Sequence, residues 1–238
     1  KFIEYFDETI EFRRDSDYAS KNLTGVYYMD YALGTEESGG ISNPDYLASV
    51  DKFSQYLRSL SQVKHVQTIS DTFKRLNKNM HGDDQAWYKL PDEREMAAKY
   101  LLLYEMSLPY GLDLNNQIYI SKSSVKLAVT LDTLPSVEIL EFEEHAKQWA
   151  SENIPDIKTV ASGPTLMFAH IGKRNINSML IGTTVALFLI SMVLIFFFKS
   201  FKYGLISLIP NMLPAASAFG IWALYSGQVG LALSVVTG

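Results

Sequence analysis

Met179 to Phe198 is a run of twenty residues without a single charge. At the rise of an α-helix such a run covers about 30 Å, the hydrocarbon thickness of a bilayer. Buried helices of soluble cores seldom stay free of charge for so long, so the run reads as a membrane span. A short basic turn, Lys199-Ser200-Phe201-Lys202, follows it, and the 36 residues from Tyr203 to Gly238 again carry no charge. Gly227-Gln228 divides that second run into one helix near Tyr203–Tyr225 and the start of another at Val229. The sequence therefore predicts two spans and the opening of a third, within a transmembrane region at 171–238.

The charge balance sharpens this division. From Gly172 onward the only charged residues are Lys173, Arg174, Lys199 and Lys202, a total of +4, and the net charge of −5 leaves −9 on residues 1–171. An acidic domain argues against nucleic acid as a partner, because phosphate binding needs a basic face. The chain has no cysteine, which removes disulfides, thiolate metal sites and thiol nucleophiles together. Lys1 is not followed by the pattern of a secretory signal, and Gly238 lies inside an apolar run, so both ends read as cuts in a longer chain. Lys173 and Arg174 at one end of the first span balance Lys199 and Lys202 at the other, so loop charge does not fix the orientation. The large acidic domain before the span favours an extracytoplasmic placement.

Inside the second run Pro210 and Pro214 flank Asn211. A proline deletes a backbone hydrogen bond and crowds the preceding turn, so the helix is expected to bend or unwind there. Neighbouring helices can satisfy the freed carbonyls. These three residues are the candidate hinge, with a plain structural kink as the alternative. Ala216 and Gly220 lie four apart, as do Gly230, Ser234 and Gly238, and small residues at that spacing let membrane helices approach closely. They are the candidate packing positions against further helices of the same protein.

Residues 1–24 form a polar lead-in with scattered aromatics. Residues 25–170 then repeat one pattern twice. Val26–Leu33 is rich in tyrosine and reads as a strand. Asn43-Pro44 offers an N-cap followed by a first-turn proline, and Leu47, Val50, Phe53, Leu57 and Leu60 recur at helical spacing over Pro44–Ser61. Val63–Ile69 reads as the next strand. In the second copy Val125, Leu127, Val129 and Leu131 alternate with Lys126, Ala128 and Thr130, a half-buried strand. Ser136 is expected to cap a helix with Ile139, Phe142, Ala146 and Trp149 on one stripe, and Ile157–Ala161 closes the unit. Between the copies lie a polar stretch, Ser70–Lys89, and a helix, Asp92–Met106. Two strand–helix–strand units predict an α+β, ferredoxin-like βαβ-βαβ domain with its helices on one face, followed by transmembrane α-helices.

Motifs of chemistry are scarce. No phosphate-binding Gly-x-x-x-x-Gly-Lys loop and no Gly-x-Ser-x-Gly elbow occurs. The histidines (65, 81, 145 and 170) lack the spacing of a zinc helix. His81-Gly82-Asp83-Asp84 offers metal-ligand types, with a solvated loop as the ordinary explanation. Glu141, Glu143 and Glu144 read as solvated charges on a helix. The expectation is of no catalytic site, no cofactor and no resident metal.

A βαβ-βαβ domain leading into a span, a basic turn and Leu208-Ile209-Pro210-Asn211-Met212-Leu213-Pro214 through Phe219-Gly220, then Gly230-Leu231-Ala232-Leu233-Ser234-Val235-Val236-Thr237-Gly238, resembles the resistance-nodulation-division superfamily. The resemblance is specific from about Ile171 onward and points to the lipid- and hydrophobe-exporter branch, related to the mycobacterial large membrane proteins and hopanoid transporters. It implies a periplasmic porter domain and membrane helices of a six-helix repeat in a bacterial inner membrane, with the C-terminal repeat favoured over the first. It further implies proton-driven export of hydrophobic or lipid-like molecules, and is compatible with a homo-oligomer. The coupling carboxylates of such proteins sit in the fourth helix of a repeat, past Gly238. The membrane part also resembles a sterol-sensing domain, so a non-transporting lipid sensor or an accessory of protein export stands as the alternative.

Overall fold

The computed structural model describes residue 3, residues 6–109 and 114–206, and nine further positions: 209, 210, 213, 214, 216, 217, 220, 221 and 224. The chain separates into two compact units, Lys1–Ala169 and His170–Gly238.

In the first unit the strands are β1 (Tyr27–Gly34), β2 (Val63–Gln67), β3 (Ser124–Leu131) and β4 (Lys158–Ser162). They form one antiparallel sheet in the order β2-β3-β1-β4. The alternation read from the sequence governs the two central strands. Tyr27, Met29, Tyr31 and Leu33 of β1 point inward beside Val125, Leu127, Val129 and Leu131 of β3, and all eight are buried. A one-residue slip of either strand would turn its apolar set to solvent, so the core fixes the register Tyr27↔Leu131 to Gly34↔Ser124. The outer strands are only five residues long, short edges of the kind that discourage pairing with other chains.

Each strand–helix–strand unit is split by a strand of the other, β3 lying between β1 and β2 and β1 between β3 and β4. The connecting helices are α2 (Pro44–Ser59) and α5 (Ser136–Asn153). Asn43 caps α2 as its sequence suggests, its Oδ1 accepting from the Asp45 N–H at 3.0 Å. Leu47, Val50, Phe53 and Leu57 of α2 and Ile139, Phe142, Ala146 and Ala150 of α5 close the core. The two helices meet through aromatic rings: Tyr56 stacks on Trp149 at 4.4 Å between centroids, and Phe53 on Trp149 at 5.8 Å. The expected cap at Ser136 is corrected. Pro135 occupies the cap position with no side-chain bond to the helix, and Ser136 is already the first helical residue.

Three further helices belong to this unit. The lead-in contains α1 (Glu11–Asn22). The stretch read as merely polar, Ser70–Lys89, opens with α3 (Ile69–Met80), capped by Thr68. Its helical face is written by Ile69, Phe73 and the buried amide Asn77, and one apolar residue per turn among lysines and asparagines is a weak sequence signal. α4 runs over Arg94–Ser107, close to its expected bounds.

The sixth helix begins ahead of the predicted membrane region. α6 runs unbroken over Pro164–Phe198, 35 residues, fifteen of them before Met179. Its first turns belong to the first unit, where Thr165, Leu166 and Ala169 are buried. It is the one helix among the described residues that is long and apolar enough to cross a membrane. Lys199 stops it in the left-handed region at φ 49, and α7 (Phe201–Ile206) follows. The later described positions are also helical, while the remainder of the second run and the predicted helix from Val229 lie outside the described residues.

Candidate functional site

α6 is the candidate site, and its side chains sort by position. After Lys173 and Arg174 the helix carries no charge as far as Phe198. Ile181, Phe188, Val193, Phe196 and Phe197 are each well over half exposed, an apolar surface that water solvates poorly and hydrocarbon solvates well. Residues at 172, 176, 179, 183, 187, 191, 194 and 195 are less exposed and recur every three or four positions, so one stripe of the helix is covered. Thr184 disposes of its hydroxyl by donating to the Leu180 carbonyl at 2.8 Å, a local bond that membrane helices use to keep polar side chains satisfied. Ser191 lies on the covered stripe, and its buried Oγ has no hydrogen-bond partner among the described residues.

The end of α6 meets α7 at Gly204. A methyl group there would overlap the side chain of Ile195, so the approach of the two helices depends on glycine at this position. Sequence reading missed Gly204. Its signal is a glycine placed as far after the Lys199–Ser200 turn as Ile195 stands before it.

Of the candidate hinge residues, Pro210 and Pro214 are helical and exposed, and Asn211 lies outside the described residues. Of the candidate packing residues, Ala216 and Gly220 are helical and exposed, and no described atom comes within 4 Å of where a side chain on Gly220 would begin. Gly230, Ser234 and Gly238 lie outside the described residues.

In the first unit the polar residues serve the fold. Asp51 of α2 pairs with Lys74 of α3 at 2.6 Å, with both side chains mostly buried. The same carboxylate accepts from Ser70 Oγ and from Gln55 Nε2. Asn77 donates to the Lys89 carbonyl and accepts from the Tyr100 hydroxyl, tying α3 to the following loop and to α4. The His81-Gly82-Asp83-Asp84 segment is engaged locally. The His81 ring lies on Trp87 at 3.7 Å with Nδ1 2.7 Å from the Asn77 carbonyl, and Asp84 Oδ1 accepts from the Ala86 N–H. Among the described residues no three of His, Asp or Glu gather as metal ligands would.

A pocket of about 240 Å³ lies between the end of α4 and residues 114–122, walled by Leu108, Leu114, Ile118 and Ile120 and rimmed by the Lys122–Glu105 ion pair at 2.8 Å. A second unusual group is Tyr31, fully buried with a hydroxyl that has no partner among the described residues. Burial, helped by the nearby negative charge of Glu143, pushes its ionisation well above the ordinary tyrosine value. The hydroxyl of Tyr46, also raised by burial, instead donates to the Leu33 carbonyl at 2.6 Å.

No family model and no curated protein matches this chain.

Proposed function

We propose that this chain is part of a bacterial inner-membrane exporter of hydrophobic or lipid-like molecules, driven by protons, with the α+β unit on the periplasmic side. The observation that carries the reading is α6, which begins inside a folded domain and continues through a charge-free, apolar and exposed run of spanning length. The order β2-β3-β1-β4, with each βαβ unit split by the other, supports assigning the domain to the ferredoxin-like class. Such a domain leading into a span, with Pro210 and Pro214 beyond the basic turn, is what the resemblance to the resistance-nodulation-division superfamily rests on. In this reading the domain lines a substrate passage, and the proline-interrupted segment gives the membrane region a place to bend.

Two measurements separate the layers of the proposal. Single cysteines placed by Ser178→Cys and Ser200→Cys, in a chain free of cysteine, are expected to react with impermeant reagents from opposite faces of a membrane. Reaction from one face removes the span. For transport, the Pro210→Ala, Pro214→Ala double variant is expected to insert normally and to export a lipid analogue poorly under an imposed proton gradient. Normal export by a well-inserted variant removes the hinge. No gradient-dependent export by the unaltered protein over a broad lipid panel favours the sensor or accessory alternative.

A further inference from the structure

The pocket beside α4 is assembled by a short segment ahead of β3. Leu114 opens a 3₁₀ turn, Leu114–Asn116, and its carbonyl accepts from the Gln117 and Ile118 N–H groups at 2.8 Å each. Ile118 then bridges to Val125 of β3. The chain reverses over 119–122, where the Lys122 N–H donates to the Tyr119 carbonyl at 2.7 Å. Leu114 and Ile118 are thereby held in the core, Leu108 directly after α4 is half-buried, and Ile120 is 87% exposed. The apolar lining of the pocket therefore runs from the core to the surface. Its volume of about 240 Å³ lies between the roughly 150 Å³ of an apolar cavity that admits benzene and the 300 Å³ or more of clefts for drug-sized ligands. That is room for an alkyl chain of roughly eight carbons.

The rim decides which head group such a chain can carry. Lys122 Nζ pairs there with Glu105 Oε2 at 2.8 Å, and the two side chains are 36% and 31% exposed. The turn that brings Lys122 to this place holds it at φ 54, a left-handed conformation that glycine or asparagine adopts at lower cost than lysine. An ammonium has three N–H donors and a carboxylate about four acceptor positions, so the pair keeps capacity for a third group. A hydroxyl can donate to Glu105 and accept from Lys122 without breaking the pair. A carboxylate would sit against Glu105 and an alkylammonium against Lys122, and like charges at contact oppose binding.

We propose that this pocket is a binding site for an uncharged single-chain amphiphile, one short alkyl chain with a hydroxyl head. The chain lies against Leu108, Leu114, Ile118 and Ile120, and the hydroxyl bridges Lys122 and Glu105. Burial of the chain supplies affinity, and the ion pair selects the head. Every residue of the site belongs to the first unit, so the inference depends neither on α6 crossing a membrane nor on export.

The test is photolabelling of the 238-residue chain with octanol carrying a diazirine on its chain. The protein is held in phosphatidylcholine nanodiscs free of detergent, whose alkyl chains would compete. Between Lys99 and Lys122 there is no lysine or arginine, so trypsin releases all four apolar walls in one peptide, 100–122, whose label is read by mass spectrometry relative to the rest of the chain. That peptide is expected to carry label that excess plain octanol removes, with octanoate and octylamine competing about tenfold more weakly or worse. Leu108→Trp, which fills the pocket, is expected to lose the label. Ile120→Asp, which puts a charge on the wall at an exposed position where folding tolerates it, is expected to lose it too, and it carries the test if the tryptophan variant does not fold. Label on 100–122 that octanol does not displace, or that survives in folded Ile120→Asp, means alcohol dissolved in lipid or on the surface and overturns the inference. Octanoate or octylamine competing as well as octanol overturns it too, because the ion pair then selects nothing.

Discussion

Tyr31 shows what a single buried atom can cost. Its ring is in the right place, edge-on to Phe53 at 5.2 Å, but its buried hydroxyl has no partner among the described residues. A buried donor without a partner costs roughly 1–3 kcal/mol, so Tyr31→Phe is expected to stabilise the protein by about 1 kcal/mol in a urea titration. The same site sets an alkaline limit. Folding raises the ionisation of Tyr31 and Tyr46 above the ordinary 10.0, so the folded state holds its protons more tightly than the unfolded chain. The stability this brings is complete below pH 10.0 and drains away as pH rises beyond it. Tyr31→Phe should therefore flatten part of the alkaline loss, which the denaturation midpoint read between neutral and strongly alkaline pH will show. Asp51 presents the reverse case. Removing one partner of a buried pair strands the other, so Asp51→Ala, which leaves Lys74 uncompensated, should cost about 3–5 kcal/mol.

At the scale of elements, two junctions depend on glycine, one for its backbone conformation and one for space. Gly163, between β4 and α6, has φ +126 and packs on the Tyr28 carbonyl. Alanine there meets a disfavoured backbone, and Gly163→Ala should lower stability by about 1–3 kcal/mol. Gly204, between α6 and α7, is limited by the facing side chain alone. Gly204→Val is expected to lower the thermal midpoint in detergent, and Ile195→Ala in the same chain should restore much of the loss, because it removes the atoms that a larger residue meets. Absence of rescue would show that α7 does not lie on Ile195.

For the whole molecule, the two units differ in what they need from their surroundings. The first has a continuous core joining both central strands, α2, α3 and α5, and that core ends at Leu166 and Ala169. A chain cut after Ala169 is therefore expected to keep its secondary structure and one cooperative unfolding transition, followed by circular dichroism against denaturant. The second unit presents the apolar length of α6 outward, so the intact chain should need detergent or lipid to remain dispersed.

How much of this was legible in advance follows from the range of each interaction. Period-two alternation in β3, the helical stripe of α2, the Asn43 cap and the charge-free length of α6 are all local, and chain order displays them. Those patterns determined the α+β class, the two strand–helix–strand copies and the apolar run after the domain. α3 escaped because its face holds few apolar residues and a buried asparagine whose partners lie 12 and 23 positions away. The true start of α6 escaped because its first turns pack in the core of the first unit, where Leu166 and Ala169 are buried, and Lys173 and Arg174 separate them from the charge-free run that marks the span. Only the tertiary structure decided that β3 and β1 lie at the centre, that Asp51 reaches Lys74, that the Tyr31 hydroxyl has no partner among the described residues, and that α1 and α6 meet the sheet at the same end. Each depends on residues far apart in the chain being brought within a few ångströms, and periodicity carries no record of such distances.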